Sequence, residues 1–143
     1  MAERKAMQYD YLQLLDRARS VIPEQAYTVS RFEIPKANVL IMGSRTIIQN
    51  FKEIAERLNR DPHHVLRYLL RELATAGSIE DVRAVLQGRF SKESVDNVIA
   101  RYTRGFVICP ACGKPDTKIV REGRLAFLVC EVCGAKNPVR SLA

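Results

Sequence analysis

The chain is poor in the residues that do catalysis and lacks the patterns that arrange them. Its only histidines, His63 and His64, are neighbours in what reads as the first turn of a helix. They point in different directions, cannot chelate one metal together, and are both expected to face solvent. No Gly-x-x-x-x-Gly-Lys loop is present to cradle a nucleotide, and no nucleophile sits in a glycine elbow. The carboxylates fall mostly on helix surfaces opposite basic residues, so a non-enzymatic role is expected. No apolar run approaches the roughly 20 residues that cross a bilayer. The N-terminal stretch from Met1 to Gln8 has no apolar signal segment. A soluble, cytoplasmic chain with no membrane partner is expected.

Cysteine is scarce as well, but its few positions are informative. All four cysteines lie in two Cys-x-x-Cys-Gly knuckles, Cys109 to Gly113 and Cys130 to Gly134. The spacing between the pairs suits a four-thiolate metal site, and a glycine after each pair lets the backbone turn its amides toward the sulfurs. This reads as a zinc ribbon, with one structural Zn²⁺ held by Cys109, Cys112, Cys130 and Cys133. Disulfides would need an oxidising compartment, and a thioredoxin-like role needs one reactive pair rather than two matched ones. Iron in a rubredoxin-like site uses the same thiolates and stays open, although Phe127 is the only aromatic residue between the knuckles. A catalytic zinc is disfavoured, because four thiolates leave no position for water. Metal binding would supply the folding free energy of so small a module, on the order of 10 kcal/mol.

Charge of one sign dominates. In 143 residues the net charge is +7, which suits a polyanionic partner such as nucleic acid. Residues 1–34 carry five basic and five acidic side chains, residues 35–108 twelve and eight, and residues 109–143 six and three. The whole excess therefore follows residue 34.

Three segments are legible. Residues 1–23 read as an amphipathic helix in which Met7, Tyr11, Leu14, Leu15, Ala18, Val21 and Ile22 recur at helical steps until Pro23. Its apolar face either packs on the chain's own core or docks on another protein. Residues 24–35 read as a linker.

Residues 36–106 read as a central α/β domain. Val39 to Met42 and Thr46 to Ile48 form a hairpin expected to be buried. Asn50 looks like an N-cap with Glu53 three residues on, and Phe51, Ile54, Ala55 and Leu58 form one face. A second helix starts at Asp61-Pro62 and is expected to run to Gly77. The pair resembles a helix-turn-helix, and Arg67 and Arg71 would then face a DNA groove. One strand is expected through Ile79, Val82, Val85 and Leu86, followed by a helix capped by Ser91 with Val95, Val98, Ile99 and Tyr102 inward. Arg101, Arg104 and Arg89 are expected to cluster near its end, to complement the helix dipole or to contact phosphate.

Residues 107–143 form the ribbon, expected as strands over 117–121, 125–129 and 136–142. Four thiolates around a divalent cation leave two negative charges, so some of the nearby cations neutralise the site. Arg121, Arg124 and Arg140, remote from the sulfurs, are the ones expected to be free for RNA. The fold class is α+β: a docking helix, a small α/β domain with a helix-turn-helix-like pair, and a four-cysteine ribbon.

The three segments together resemble the beta subunit of archaeal translation initiation factor 2. The resemblance covers essentially the whole chain and is most specific in Phe51 to Ile79, Gly88 to Ser91, Val98 to Tyr102, and CPACGKPDT from Cys109 to Thr117. It implies a subunit that joins alpha and gamma subunits in a heterotrimer, bringing initiator methionyl-tRNA to the small ribosomal subunit with GTP held by gamma. It also implies that the first helix docks on gamma, with Met7, Tyr11, Leu12, Leu14, Leu15 and Ala18 as anchor candidates, and that alpha is reached through gamma. Proximity to tRNA or ribosomal RNA would give Arg101, Arg104, Arg121, Arg124 and Arg140 their use. The lysine-rich extension of the eukaryotic subunit does not occur in this sequence, so partnerships made through it are not carried over. The related eukaryotic initiation factor 5 lacks the leading helix. The alternative from another class is a zinc-ribbon, helix-turn-helix transcription factor.

Overall fold

A computed structural model describes residues 10–23 and 32–142. The chain forms two compact units that divide between Glu33 and Ile34. In the first, helix α1 spans Tyr11–Val21, and the Asp10 carboxylate accepts from the Leu12 amide at 3.2 Å as its N-cap. None of its residues is buried; Tyr11 is 72% and Leu12 65% exposed. Met7 lies outside the described residues.

The second unit holds both the α/β domain and the ribbon. Strands β1 (Val39–Met42), β2 (Arg45–Ile48), β3 (Gly77–Glu80) and β4 (Arg83–Gln87) form an antiparallel sheet in the order β1-β2-β4-β3. Helices α2 (Phe51–Arg57) and α3 (Pro62–Glu72) connect its two hairpins, and α4 (Lys92–Phe106) follows β4. Side chains alternate across a strand, which turns Thr46, Ile48, Ala84 and Leu86 to one fully buried face. The core is completed by Phe51, Ile54, Ala55 and Leu58, by Val65 and Leu69, and by Val95, Ile99 and Tyr102. The buried Thr46 hydroxyl is satisfied twice, donating to Gly88 O and accepting from Phe90 N.

Several expectations need correction. The single strand through Val82 is a hairpin, because Asp81 takes a left-handed turn (φ 55°) between β3 and β4. Helix α3 ends with Leu73 as its C-cap and Ala74 at φ 49°, well before Gly77. Gly77 instead opens β3, where a Cβ would stand 2.5 Å from Val85 O. Strand β1 is not buried: it pairs only with β2, at the sheet edge, and Leu40, Ile41 and Met42 are exposed. Asn50 makes no side-chain cap. Its amide accepts from Asn38 N and donates to Lys36 O, both at the start of the domain. Ser91 and Asp61 do cap, accepting from Ser94 N and His63 N.

The ribbon is a three-stranded antiparallel sheet of β5 (Thr117–Glu122), β6 (Leu125–Cys130) and β7 (Lys136–Val139), in chain order. Strand β7 stops at Val139, short of the expected 142, and Leu142 beyond it is buried. Pro138 sits opposite Phe127 on this edge strand, where its missing N–H is tolerated.

Candidate metal centre

The two knuckles repeat one backbone pattern. The Cys109 amide donates to Lys114 O and the Gly113 amide to Cys109 O, while Cys130 N donates to Ala135 O and Gly134 N to Cys130 O. Gly113 and Gly134 take nearly equal left-handed conformations, φ 71° and 72°, which a Cβ would strain. This folding presents four sulfurs to one point. Cys109 Sγ lies 3.7 Å from Cys133 Sγ and Cys112 Sγ 3.5 Å from Cys130 Sγ, and all four fall within 4.8 Å of one another. Thiolates about 2.3 Å from one tetrahedral cation stand about 3.8 Å apart, so the set fits a metal ion. The separations are too long for disulfides, whose sulfurs lie about 2 Å apart.

The electrostatics agree with a cation site. The Cys133 amide brings the Cys130 thiol down to about 7, against the effect of burial, and the Cys112 amide lowers Cys109. Cys112 moves the other way: the Lys114 amide pulls it down, but burial and the neighbouring Cys130, Cys133 and Cys109 sulfurs push it up to about 12. Crowded thiols therefore hold protons that only a bound cation would displace. Nearby, Lys118 pairs with Glu131 at 3.5 Å, and Lys136 pairs with Glu122 while lying 4.4 Å from the Phe127 ring centroid.

The other basic residues are dispersed. Arg121, Arg124 and Arg140 are exposed, with no ion-pair partner among the described residues. Arg101 and Arg104 are exposed on α4, but Arg101 is paired with Glu72 at 3.4 Å. Arg89 does not join them, since its Nε donates to Gly43 O in the β1–β2 turn. Nor do both histidines face solvent. His63 does, whereas His64 is half-buried with Nδ1 2.8 Å from the Tyr102 hydroxyl and its ring edge-on to Phe106. Burial first, and then Arg60, lower its pKa.

Nothing in the sequence marks Arg60, which reads there as one residue of a helix-turn-helix turn. Its guanidinium donates to Phe106 O, Thr117 O and Thr117 Oγ1, joining the α2–α3 turn to the end of α4 and the start of β5. Between α3 and β5 lies an open cleft of about 470 Å³, lined by residues of the helix pair and of the ribbon.

Comparison with known proteins bears on the whole of this arrangement. A family model described as a domain found in initiation factors 2B and 5 matches residues 23–136. Translation initiation factor 2 subunit beta of Methanococcus maripaludis is 51% identical over 134 residues, 94% of this chain and 97% of that protein. The subunit of the same name from Methanosphaera stadtmanae is 45% identical over 142 residues, 99% of this chain and 100% of its own length. That of Methanococcus vannielii is 49% identical over 134 residues, 94% of this chain and 97% of its own.

Proposed function

The chain belongs to the family of archaeal translation initiation factor 2 beta subunits, and from that premise we propose that it works in the cytoplasm as the beta member of a heterotrimer delivering initiator methionyl-tRNA to the small ribosomal subunit. The observation that carries this reading is the extent of the match, which spans the leading helix, the α/β domain and the ribbon. Helix α1 docks on the GTP-binding gamma subunit, and alpha is reached through gamma. Two features support docking: α1 is an independently capped helix, and its apolar residues Tyr11, Leu12 and Leu14 are all exposed. GTP hydrolysis belongs to gamma in this scheme, and the chain itself performs no chemistry. The ion held by the four cysteines is zinc in a structural role.

The DNA-binding alternative draws less support from α3. Arg67 there donates to Leu142 O, and Glu72 holds Arg101, so the helix presents no row of unengaged cations to a groove.

The test is the affinity of the full chain for the gamma subunit, with and without residues 1–23. Tight binding that disappears on truncation is expected. Binding that survives truncation would remove α1 as the anchor, and absence of binding in both forms would overturn the heterotrimer reading.

A further inference from the structure

The cleft between α3 and β5 differs from the rest of the surface in its charge. Arg60, Arg67, Lys118 and Arg121 line it, and Asp61 is the only carboxylate among the lining residues. These groups are not equally available. Arg60 is spent on the carbonyls described above, and Asp61 Oδ1 is occupied by the His63 amide. Lys118 is shared with Glu131 at 3.5 Å. Arg121 has no ion-pair partner among the described residues, and Arg67 makes a single long contact, 3.4 Å, to Leu142 O. Two guanidiniums, one from each wall, thus remain to face a ligand, with the exposed His63 beside them.

We propose that this cleft is a binding site for the phosphodiester backbone of RNA, held between Arg67 on α3 and Arg121 on β5. Guanidiniums bind phosphate oxygens through paired N–H donors, and two cations on opposing walls can grip a strand that passes between them. The potential in the cleft is positive by an independent sign: after burial, the groups that lower the His64 pKa are Arg60, Arg121 and Arg67, against Asp61 alone. Its size suits a backbone unit rather than a folded partner. The lining contains no Phe, Tyr or Trp, its apolar part being Ile119, Ala126 and Leu142. It therefore has no broad aromatic platform on which a base would stack, and the contact is with backbone rather than sequence. The inference rests on the translational reading only for the source of the RNA.

The test is equilibrium binding of the full, zinc-loaded chain to a fluorescent oligouridylate of about 20 nucleotides across a salt series. The variants are Arg67→Gln with Arg121→Gln and, as a control of equal charge change outside the cleft, Arg124→Gln with Arg140→Gln. All four arginines are exposed, and circular dichroism with zinc content verifies folding. The cleft variant is expected to bind about tenfold or more weakly, with a salt slope smaller by about 1.4, while the control loses about threefold or less. Equal losses in the two variants, or no loss in the cleft variant, overturn the site. Displacement of the RNA by millimolar GTP or inorganic phosphate overturns the backbone assignment in favour of a free phosphate ligand. No other subunit is in the assay, so its failure is separable from failure of gamma docking.

Discussion

Arg60 holds Thr117 by both of its functional oxygens, with Nη1 2.7 Å from the carbonyl and Nη2 2.6 Å from the hydroxyl. Thr117 is buried, and its hydroxyl in turn donates to Val107 O. The same guanidinium reaches Phe106 O at 2.8 Å. One side chain therefore satisfies the carbonyls at the point where the α/β domain becomes the ribbon, and it does so with a planar fork that lysine cannot reproduce.

Arg60→Ala leaves those carbonyls unpaired in a part-buried junction. An expected loss of about 2–4 kcal/mol follows from hydrogen bonds to a charged donor and the desolvation of what remains. Urea unfolding measures the loss, and hydrogen exchange at the Val107 and Thr117 amides locates it. Arg60→Lys should restore less than half of it. A variant within about 0.5 kcal/mol of the parent would contradict the clamp.

Cys130→Ser removes a sulfur whose thiol is held down at about 7, because the Cys133 amide points at it. Loss of one ligand in four is expected to release the metal and unfold residues 109–139, while the α/β domain stays folded around Phe51, Ile54 and Leu69. Hydrogen exchange resolves the two regions, and protected ribbon amides in the variant would count against metal-dependent folding. Chelation of the parent protein should give the same pattern.

His64 predicts an acid dependence whose sign follows from its depressed pKa. An unfolded histidine takes a proton near pH 6.5, and the folded one takes it only at lower pH. The unfolded state then binds more protons between those two values, so stability is full above about pH 6.5 and falls as the pH drops through the folded pKa. His64→Gln should flatten this part of the profile relative to the parent, as followed by denaturant titration at several pH values. Identical profiles would show that His64 is not the responsible group, since acid also weakens the thiolate site in both proteins.

Gly77→Ala should destabilise the α/β domain by about 1–3 kcal/mol through overpacking. The new Cβ meets Val85 O at 2.5 Å, and also Leu86 Cδ2 at 3.0 Å and Leu70 Cδ2 at 3.1 Å. Backbone stands on one side and core on the other, so relief requires β3 to move away from β4. A thermal melt of the variant that coincides with the parent's would refute this close approach.

Much of this architecture is legible locally. Helices α1 to α4 follow from apolar residues at three-to-four-residue steps and from Asp10, Asp61 and Ser91 as caps. The β3–β4 hairpin is not, because Asp81 turns left-handed in a place where glycine or asparagine would have marked the reversal. Nor is the exposure of β1, because apolar composition does not say which strand lies at an edge.

The sequence by itself determined the metal site and the order of the segments. Each knuckle is a local turn whose ligands are three residues apart, and each helix declares its period within a few turns. Only the tertiary structure decided what the basic residues are for. Arg60 and Thr117 are 57 residues apart, His64 and Tyr102 38, and Arg67 and Leu142 75. No local period records contacts of that range. Whether an arginine is a clamp, an ion-pair partner or an open cation depends on which carbonyls and carboxylates the fold brings beside it.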